Sequence, residues 1–356
     1  MKNLYLIIII ITSNIFIKSN AQSLVEKKIY YIDDVIQNSS IKYYYEKNNS
    51  IILSLNRVPE IYVLDKLKLN ITKIVTKGKG PGEVEEVTSV EYNEYDNKLV
   101  IFDRINYKYV TAIIDLKNGQ VVDIEDQIIS KKDYFYYITS MIGYNNDDYL
   151  ILGDLRDEYY KLEKGMPYNN LFYVENFISE KPQIMDSVGV FDPSMLQYIE
   201  KKYTVVSSVS SPKKLLKLGK NKYAHINQKT KDLYIFDLDI IDGKMYIANR
   251  KNIVIKNFNE LKKETYEESI TNDRESQNDI SYITNMFGGK KYNYVLIVVN
   301  GKYRIIKYDK NFEEIQRFDI EMEQMFICDI IDDGKKTTIK KIQIKDDGII
   351  YYEYEY

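Results

Sequence analysis

The feature that most narrows the fold is a unit that keeps returning. It is a short run rich in Val, Ile and Tyr, then a polar turn, then a second such run. It reads "EIYVLDKLKLNITKI" at residues 60–74, "NKLVIFDRINYKYVTAIID" at 97–115 and "DDYLILGDLRDEYYKL" at 147–162. It returns as "DGKMYIANRKNIVIKNF" at 242–258 and "YNYVLIVVNGKYRIIKYD" at 292–309. Asp65, Asp103 and Asp154 close the first run in three copies, and Arg250 and Asn300 hold about that place in two more. The intervals are 38, 51, 96 and 50 residues, so a further copy is hidden in the longest; "NKYAHINQKTKDLYIFD" at 221–237 supplies part of it.

A period of roughly 40–50 residues made of strands alone indicates the blades of a β-propeller. Each blade packs on both faces, which accounts for continuous runs such as "YVLIVV" beside alternating runs such as "IYYEYEY". Tyr, Ile and Val suit such half-buried pleated surfaces, and the chain has 35 Tyr. With six Pro and fifteen Gly, its turns must lean on Asn, Asp and Lys. The expectation is an all-β protein of six blades, each of four antiparallel strands, with seven blades as the alternative. A large β-sandwich or a solenoid is the competing architecture. An open edge strand invites aggregation, so the ring must close. "EKKIYYID", residues 26–33, is predicted to join the last blade beside "TTIKKIQI" and "GIIYYEYEY".

The first residues, "MKNLYLIIIIITSNIFIKSNAQS", place Lys2 before a mostly apolar run from Leu4 to Ile17. That run is short for a membrane span of about 20 residues. Ser19, Asn20 and Ala21 offer small residues at a cleavage site. The expectation is a signal peptide over 1–21 and a single propeller domain over 22–356, exported to the periplasm or cell surface with no membrane span after cleavage. A retained anchor is the alternative. No cysteine lies near the leader, so a lipoprotein is not expected. The net charge of −3 gives no basic surface for nucleic acid.

"ITKIVTKGKGPGEVEEV", residues 71–87, is the one glycine-rich interruption. It lacks the Lys-Ser or Lys-Thr end of a phosphate-binding loop, and Glu83 stands where a dinucleotide fingerprint needs its last glycine. Gly78 and Gly80 permit positive φ, and Pro81-Gly82 fits the centre of a type II turn. Gly78, Gly80, Pro81, Gly82 and Glu83 therefore read as an interblade turn. "KGKGPGE" followed by "VTSVEYNEYDNKLVIFDRINYKYVTAIIDLKNGQ" resembles a six-bladed propeller family of exported Bacteroidota proteins, loosely related to NHL-repeat and TolB-like propellers. Those five residues match its G-x-G-P-G-E motif, although Val84 stands where members carry an aromatic. The resemblance covers residues 58–125 closely, favours six blades over seven, and implies no established activity.

Residues suited to catalysis are few. His225 is the only histidine and Cys328 the only cysteine, so no multi-histidine metal site can form within the chain, and no nucleophile-elbow motif is present. Both residues read as strand packing. Asp237, Asp239 and Asp242 could gather calcium, without the spacing of an EF-hand. Asp65, Asp103 and Asp154, if in register, would ring one mouth of the central channel and bind a cation or polar ligand. The clusters "KYYYEK" (42–47) and "DYFYYI" (133–138) read as blade faces or as stacking surfaces. Asp186-Ser187-Val188 is similar to a Bacteroidota O-glycan acceptor. The chain is accordingly expected to bind a protein, peptide or glycan, with no obligate cofactor. The alternative is a hydrolase or lyase that works on polysaccharide with carboxylates alone.

Overall fold

The computed structural model describes residues 23–31, 41–56, 58–103, 105–106, 108–117, 120–128, 135–146, 148–155, 170–174, 183–187, 213–227, 231–242, 244–258, 281–320, 325–345 and 348–355. Among them the chain is built from strands. No helix among the described residues is long and apolar enough to cross a membrane.

The chain begins with β1 (Ser23–Tyr31), which belongs to the last sheet. The first sheet orders β2 (Ile41–Lys47), β3 (Ser50–Leu55), β4 (Ile61–Asp65), β5 (Asn70–Lys77) and the short β6 (Glu83–Val84). The second has β7 (Val87–Asn93), β8 (Lys98–Asp103), β9 (Lys108–Asp115) and β10 (Gln120–Ile128). The third has β11 (Phe135–Asn145), β12 (Asp148–Leu155), β13 (Asn170–Val174) and β14 (Gln183–Ser187). The fourth has β15 (Lys213–Lys217), β16 (Lys222–Asn227), β17 (Asp232–Ile241) and β18 (Lys244–Val254). The fifth has β19 (Tyr282–Gly288), β20 (Asn293–Val299), β21 (Lys302–Tyr308) and β22 (Glu314–Ile320). The last has β23 (Met325–Asp332), β24 (Thr337–Lys345) and β25 (Gly348–Glu355), with β1 on its outer edge.

The expectation of six blades of four antiparallel strands is corrected here. Five blades have that form, but the first sheet has five strands, because β6 pairs with β5 in parallel, Thr76 opposite Glu83. The glycine loop is the cause. It doubles the chain back so that Gly78 N–H donates to the Val84 carbonyl at 3.0 Å. The repeat is also uneven. The innermost strands begin at 41, 87, 135, 213, 282 and 325, so the third and fourth units are much longer than the others.

Six apolar clusters each join one sheet to the next. Ile52, Val63 and Val75 meet Leu99, Ile101 and Val110, and so on around the ring. The last cluster sets Tyr30, Ile342, Ile349 and Tyr351 against Ile51, Leu53 and Leu64 of the first sheet. β1 pairs antiparallel with β25, Tyr30 opposite Ile349, so the two ends of the chain share one sheet and lock the circle. Middle strands buried on both faces, such as "SIILSL" in β3, follow from packing between two neighbours. The β20–β21 hairpin turns on Asn300 and Gly301, with φ of 51° and 72°, the pair that favours a type I′ turn. Arg250, by contrast, lies inside β18 over the Tyr234 ring, not in a turn.

A second repeat marks the inner strands. Five of them skip a residue in the pairing with the second strand: Lys42, Thr88, Thr139, Thr284 and Cys328, with Tyr136 and Tyr144 skipped as well in β11. The local sequences are "IKY", "VTS", "ITS", "ITN" and "ICD". Each is a β-bulge, which re-aims side chains and frees backbone groups. Thr88 and Thr284 donate their hydroxyls to the carbonyls of Phe102 and Leu296, each at 3.1 Å, which ties the bulge to its own sheet.

Candidate functional site

Inner strands touch in succession, β2 with β7, β7 with β11, β11 with β15, β15 with β19 and β19 with β23. Each exposes one unpaired backbone edge toward the axis, a liability that side chains can satisfy. Here they do so by reaching forward to the next blade. The Lys42 ammonium donates to the Val87 carbonyl. Ser140 accepts from Leu215 N–H at 3.1 Å. The Lys214 ammonium donates to the Thr284 carbonyl at 3.1 Å. Both lysines thus tie their own sheet to a carbonyl at or beside a bulge of the next one.

These ties place cations in poor solvent. Burial pulls the Lys42 ammonium down to about 8 against the pull of Glu86, and burial lowers Lys214 as well. Glu91 on β7 is pushed up to about 8 by desolvation, although Gly143 N–H and Lys217 favour its charged form. Asp329 on β23 is raised to about 6 by burial, opposed by Lys340. Four perturbed groups thus lie on four inner strands, each with its own surroundings. None of the four was a sequence-level candidate. Lys42 sits inside the "KYYYEK" cluster, whose tyrosines turn out to be core: Tyr43 and Tyr45 pack toward the second sheet and Tyr44 toward the last. The bulge triplets were an available signal for Lys42 and Asp329 alone.

The glycine loop leads into this end of the axis and is held from several sides. Gly82 has φ of +72°, and its N–H donates to Asp126 Oδ1 at 2.9 Å. Glu83 Oε2 accepts from Gly80 N–H at 2.8 Å. Lys108 reaches the Gly80 carbonyl at 2.9 Å and Asp126 at 2.8 Å. A side chain at Gly78 would collide with Glu83. The loop is a braced corner that delivers Glu86 and Val87 to Lys42.

Asp103 completes the brace. It is fully buried. Its Oδ2 accepts from Glu85 N–H at 2.9 Å and Asn106 Nδ2 at 2.7 Å. Its Oδ1 accepts from Ile105, Glu86 and Asn106 N–H at 3.1–3.3 Å. Asp65 accepts from Leu67 and Lys68 N–H at 2.8 and 3.0 Å. Desolvation would raise Asp65, but those N–H groups hold it below the usual carboxylate range. The two do not share a mouth. Asp103 ends a second strand opposite Val87, where an inner strand starts. Asp65 ends a third strand opposite Ser50, beside the end of an inner strand. Asp154 lies on β12, with its side chain outside the described residues.

The other candidates are also placed. His225 is buried and stacks on Tyr234 at 6.1 Å. Cys328 is buried, and burial raises its thiol. Asp237 accepts from Asn249 Nδ2 at 3.1 Å, and Asp242 takes φ of 51° in a hairpin turn. Among the described residues no three His, Cys, Asp or Glu side chains gather as a metal site. Asp186 and Ser187 lie on β14, while Asp133 and Tyr134 of the second aromatic cluster and Val188 fall outside the described residues.

Two solved structures similar to this one are Bacteroides proteins. The fold is that of a β-propeller. A member of the DUF4221 family from Bacteroides vulgatus matches with a TM-score of 0.57 at 9% identity, over 94% of this chain and 97% of that one. A Bacteroides fragilis protein described as exported matches with a TM-score of 0.51 at 10% identity, over 94% and 97%. No family model matches the chain, and no curated sequence is detectably similar to it. The kinship with NHL-repeat and TolB-like propellers is corrected by that result: no such family model matches, and the likeness is one of fold.

Proposed function

We propose that the chain is an exported, non-enzymatic recognition module that holds a protein, peptide or glycan near the propeller axis. The observation that carries this reading is how the carboxylates are used. At the face where the inner strands begin, Asp103, Asp126 and Glu83 are all engaged with backbone N–H groups or Lys108. A carboxylate pair doing hydrolysis must instead face substrate across about 5–10 Å. Rigid braced corners suit recognition, because a preordered surface loses less entropy on binding. Residues 1–21 act as a cleaved leader in this reading, and 22–356 form the mature domain in the periplasm or at the cell surface. The exported character of the Bacteroides fragilis protein supports that location.

The test uses purified mature chain on a glycan and peptide array, with reducing-sugar release measured on the same polysaccharides. Saturable binding without product release is expected. Release of product by the native chain, abolished by a carboxylate substitution, would overturn the proposal in favour of a hydrolase or lyase.

A further inference from the structure

We propose that the inner-strand ends of the fourth, fifth and last sheets carry a basic arc that docks an acidic polysaccharide. The inference rests on the recognition reading above. It narrows the ligand to a sugar chain with repeated acid groups and places it on the face opposite the glycine loop.

The arc is built around one carboxylate. Asp332 closes β23 and is 5% exposed. Its Oδ2 accepts from Lys291 and Tyr292 N–H of the β19–β20 turn at 2.8 and 2.7 Å. Its Oδ1 accepts from Gly334 N–H of the β23–β24 turn at 2.8 Å. Lys290 N–H adds a bond to the Asp332 carbonyl at 2.8 Å. Two turns of neighbouring sheets are thereby clamped together, and Lys290, Lys291, Lys335 and Lys336 stand exposed on them. Lys310, from the β21–β22 turn, donates its ammonium to the Gly289 carbonyl on the same corner. Lys307 lies 3.8 Å and Lys291 5.1 Å from the Tyr292 ring centroid, within cation–π reach. The fourth sheet extends the arc. Lys220 is exposed in its matching turn. Burial lowers the Lys310 ammonium, with Asp332 opposing and the like charge of Lys222 adding to the effect.

The acids of this sector are bound to backbone donors. Asp333 Oδ1 accepts from Lys335 and Lys336 N–H at 2.8 and 2.9 Å. Asp309 Oδ1 accepts from Asn311 and Glu313 N–H at 2.9 and 2.8 Å. Among the described residues, Lys336 alone of the lysines on these two clamped turns has a carboxylate within ion-pair distance, Glu355 at 3.2 Å. Exposed ammoniums thus concentrate on one sector of a chain whose net charge is −3.

Around the rest of this face the charge reverses. The matching turns of the second and third sheets bring Glu94, Asp96 and Asp148. A flat anionic bilayer would meet both halves, and like charges facing each other oppose docking. Single-stranded nucleic acid would need open aromatic faces for its bases, whereas Tyr292 is part-buried with lysines against its ring. A flexible sugar chain with acid groups along it can follow the basic arc alone. Its charges then pair with ammoniums from three successive sheets, in charge-assisted bonds.

The experiment measures binding of the mature chain to polygalacturonate and to dextran sulfate by calorimetry. Neutral dextran, anionic phospholipid vesicles and single-stranded DNA are the comparisons. At least one acidic polysaccharide should bind saturably, and more weakly as salt is raised; neutral dextran should not bind. Combining Lys290→Gln, Lys291→Gln and Lys335→Gln removes three charges and keeps every backbone donor of the clamp. The thermal midpoint should hold while affinity falls by about tenfold or more. A control combining Lys27→Gln, Lys117→Gln and Lys302→Gln, all exposed and outside the arc, should bind as the parent does. In the native chain, bound polysaccharide should shield Lys290, Lys291 and Lys335 from reductive methylation and leave Lys27, Lys117 and Lys302 reactive, a readout that needs no variant. Failure of both acidic polysaccharides to bind overturns the arc, even when the array shows a neutral or peptide ligand. Equal loss in the two triple variants, or tighter binding to vesicles or DNA, overturns it as well. Release of product from polygalacturonate would instead overturn the recognition reading; the arc then stands only if the first variant raises KM and the control does not.

Discussion

Replacing Asp103 by Ala isolates the role of the braced corner. The carboxylate accepts five hydrogen bonds, four from backbone N–H groups of Glu85, Glu86, Ile105 and Asn106 and one from the Asn106 amide. Ala removes every acceptor at a fully buried position. A hydrogen bond contributes roughly 1 kcal/mol net, and an orphaned buried donor costs more, so the loss should be about 3–5 kcal/mol. With unfolding entropy of about 2.1 cal/mol/K per residue, a chain this long should melt ~4–7 °C lower. The same arithmetic sets a series. Asp332 accepts three N–H bonds, from Lys291, Tyr292 and Gly334, and Asp65 accepts two. Their Ala variants should lose about 2–3 and 1–2 kcal/mol respectively. Urea unfolding and calorimetry of the mature chain measure all three. An Asp103→Ala chain as stable as the parent, or one that keeps its stability while losing ligand, would refute the structural role and return this carboxylate to the binding site.

Several smaller perturbations test other parts of the ring. Asp332 is desolvated yet held low by the N–H groups of Gly334, Tyr292 and Lys291. Its contribution is present above an unfolded value of about 4 and is lost as pH falls through the lower folded value, so Asp332→Asn should flatten stability loss below about pH 4. Glu91 has the opposite sign: its folded value of about 8 lies above the unfolded value, so stability drains away as pH rises toward 8. Glu91→Gln should raise the urea midpoint at pH 8 and leave it little changed at pH 4. Glu46→Ala strips the shared partner from Lys66 and Lys340 at the seam between first and last sheets, and should cost about 3–5 kcal/mol by the same unfolding assay. Gly82→Ala, forced to φ of +72° with a new Cβ 3.1 Å from Ile124, should cost about 1–2 kcal/mol and loosen the loop in hydrogen exchange.

How much was legible depended on range. Strand–turn–strand units at 97–115 and 292–309 could be read because apolar runs and Asn or Asp turns are local. The pairing of β1 with the last sheet was readable too, because ring closure demands a partner for an otherwise open edge. The spacing misled where the third and fourth units lengthen. Counting from Asp65, Asp103 and Asp154 also mixed a third strand with two second strands, since an Asp that ends one strand looks like an Asp that ends another. The inner-strand triplets "VTS", "ITS", "ITN" and "ICD" were the better ruler, but a bulge has no meaning until its partner strand is known.

The sequence by itself determined that this chain is all β, that its sheets recur, and that the glycine loop turns a corner and lacks the residues of a phosphate-binding motif. Those properties follow from side-chain periodicity and backbone freedom, which act within a few residues. Only the tertiary structure decided that Asp65 and Asp103 lie at opposite ends of the blades. It alone brought Lys42 against Val87 and Lys214 against Thr284. Their chemistry comes from desolvation and from carbonyls contributed by the next sheet, and neither exists until the ring has closed.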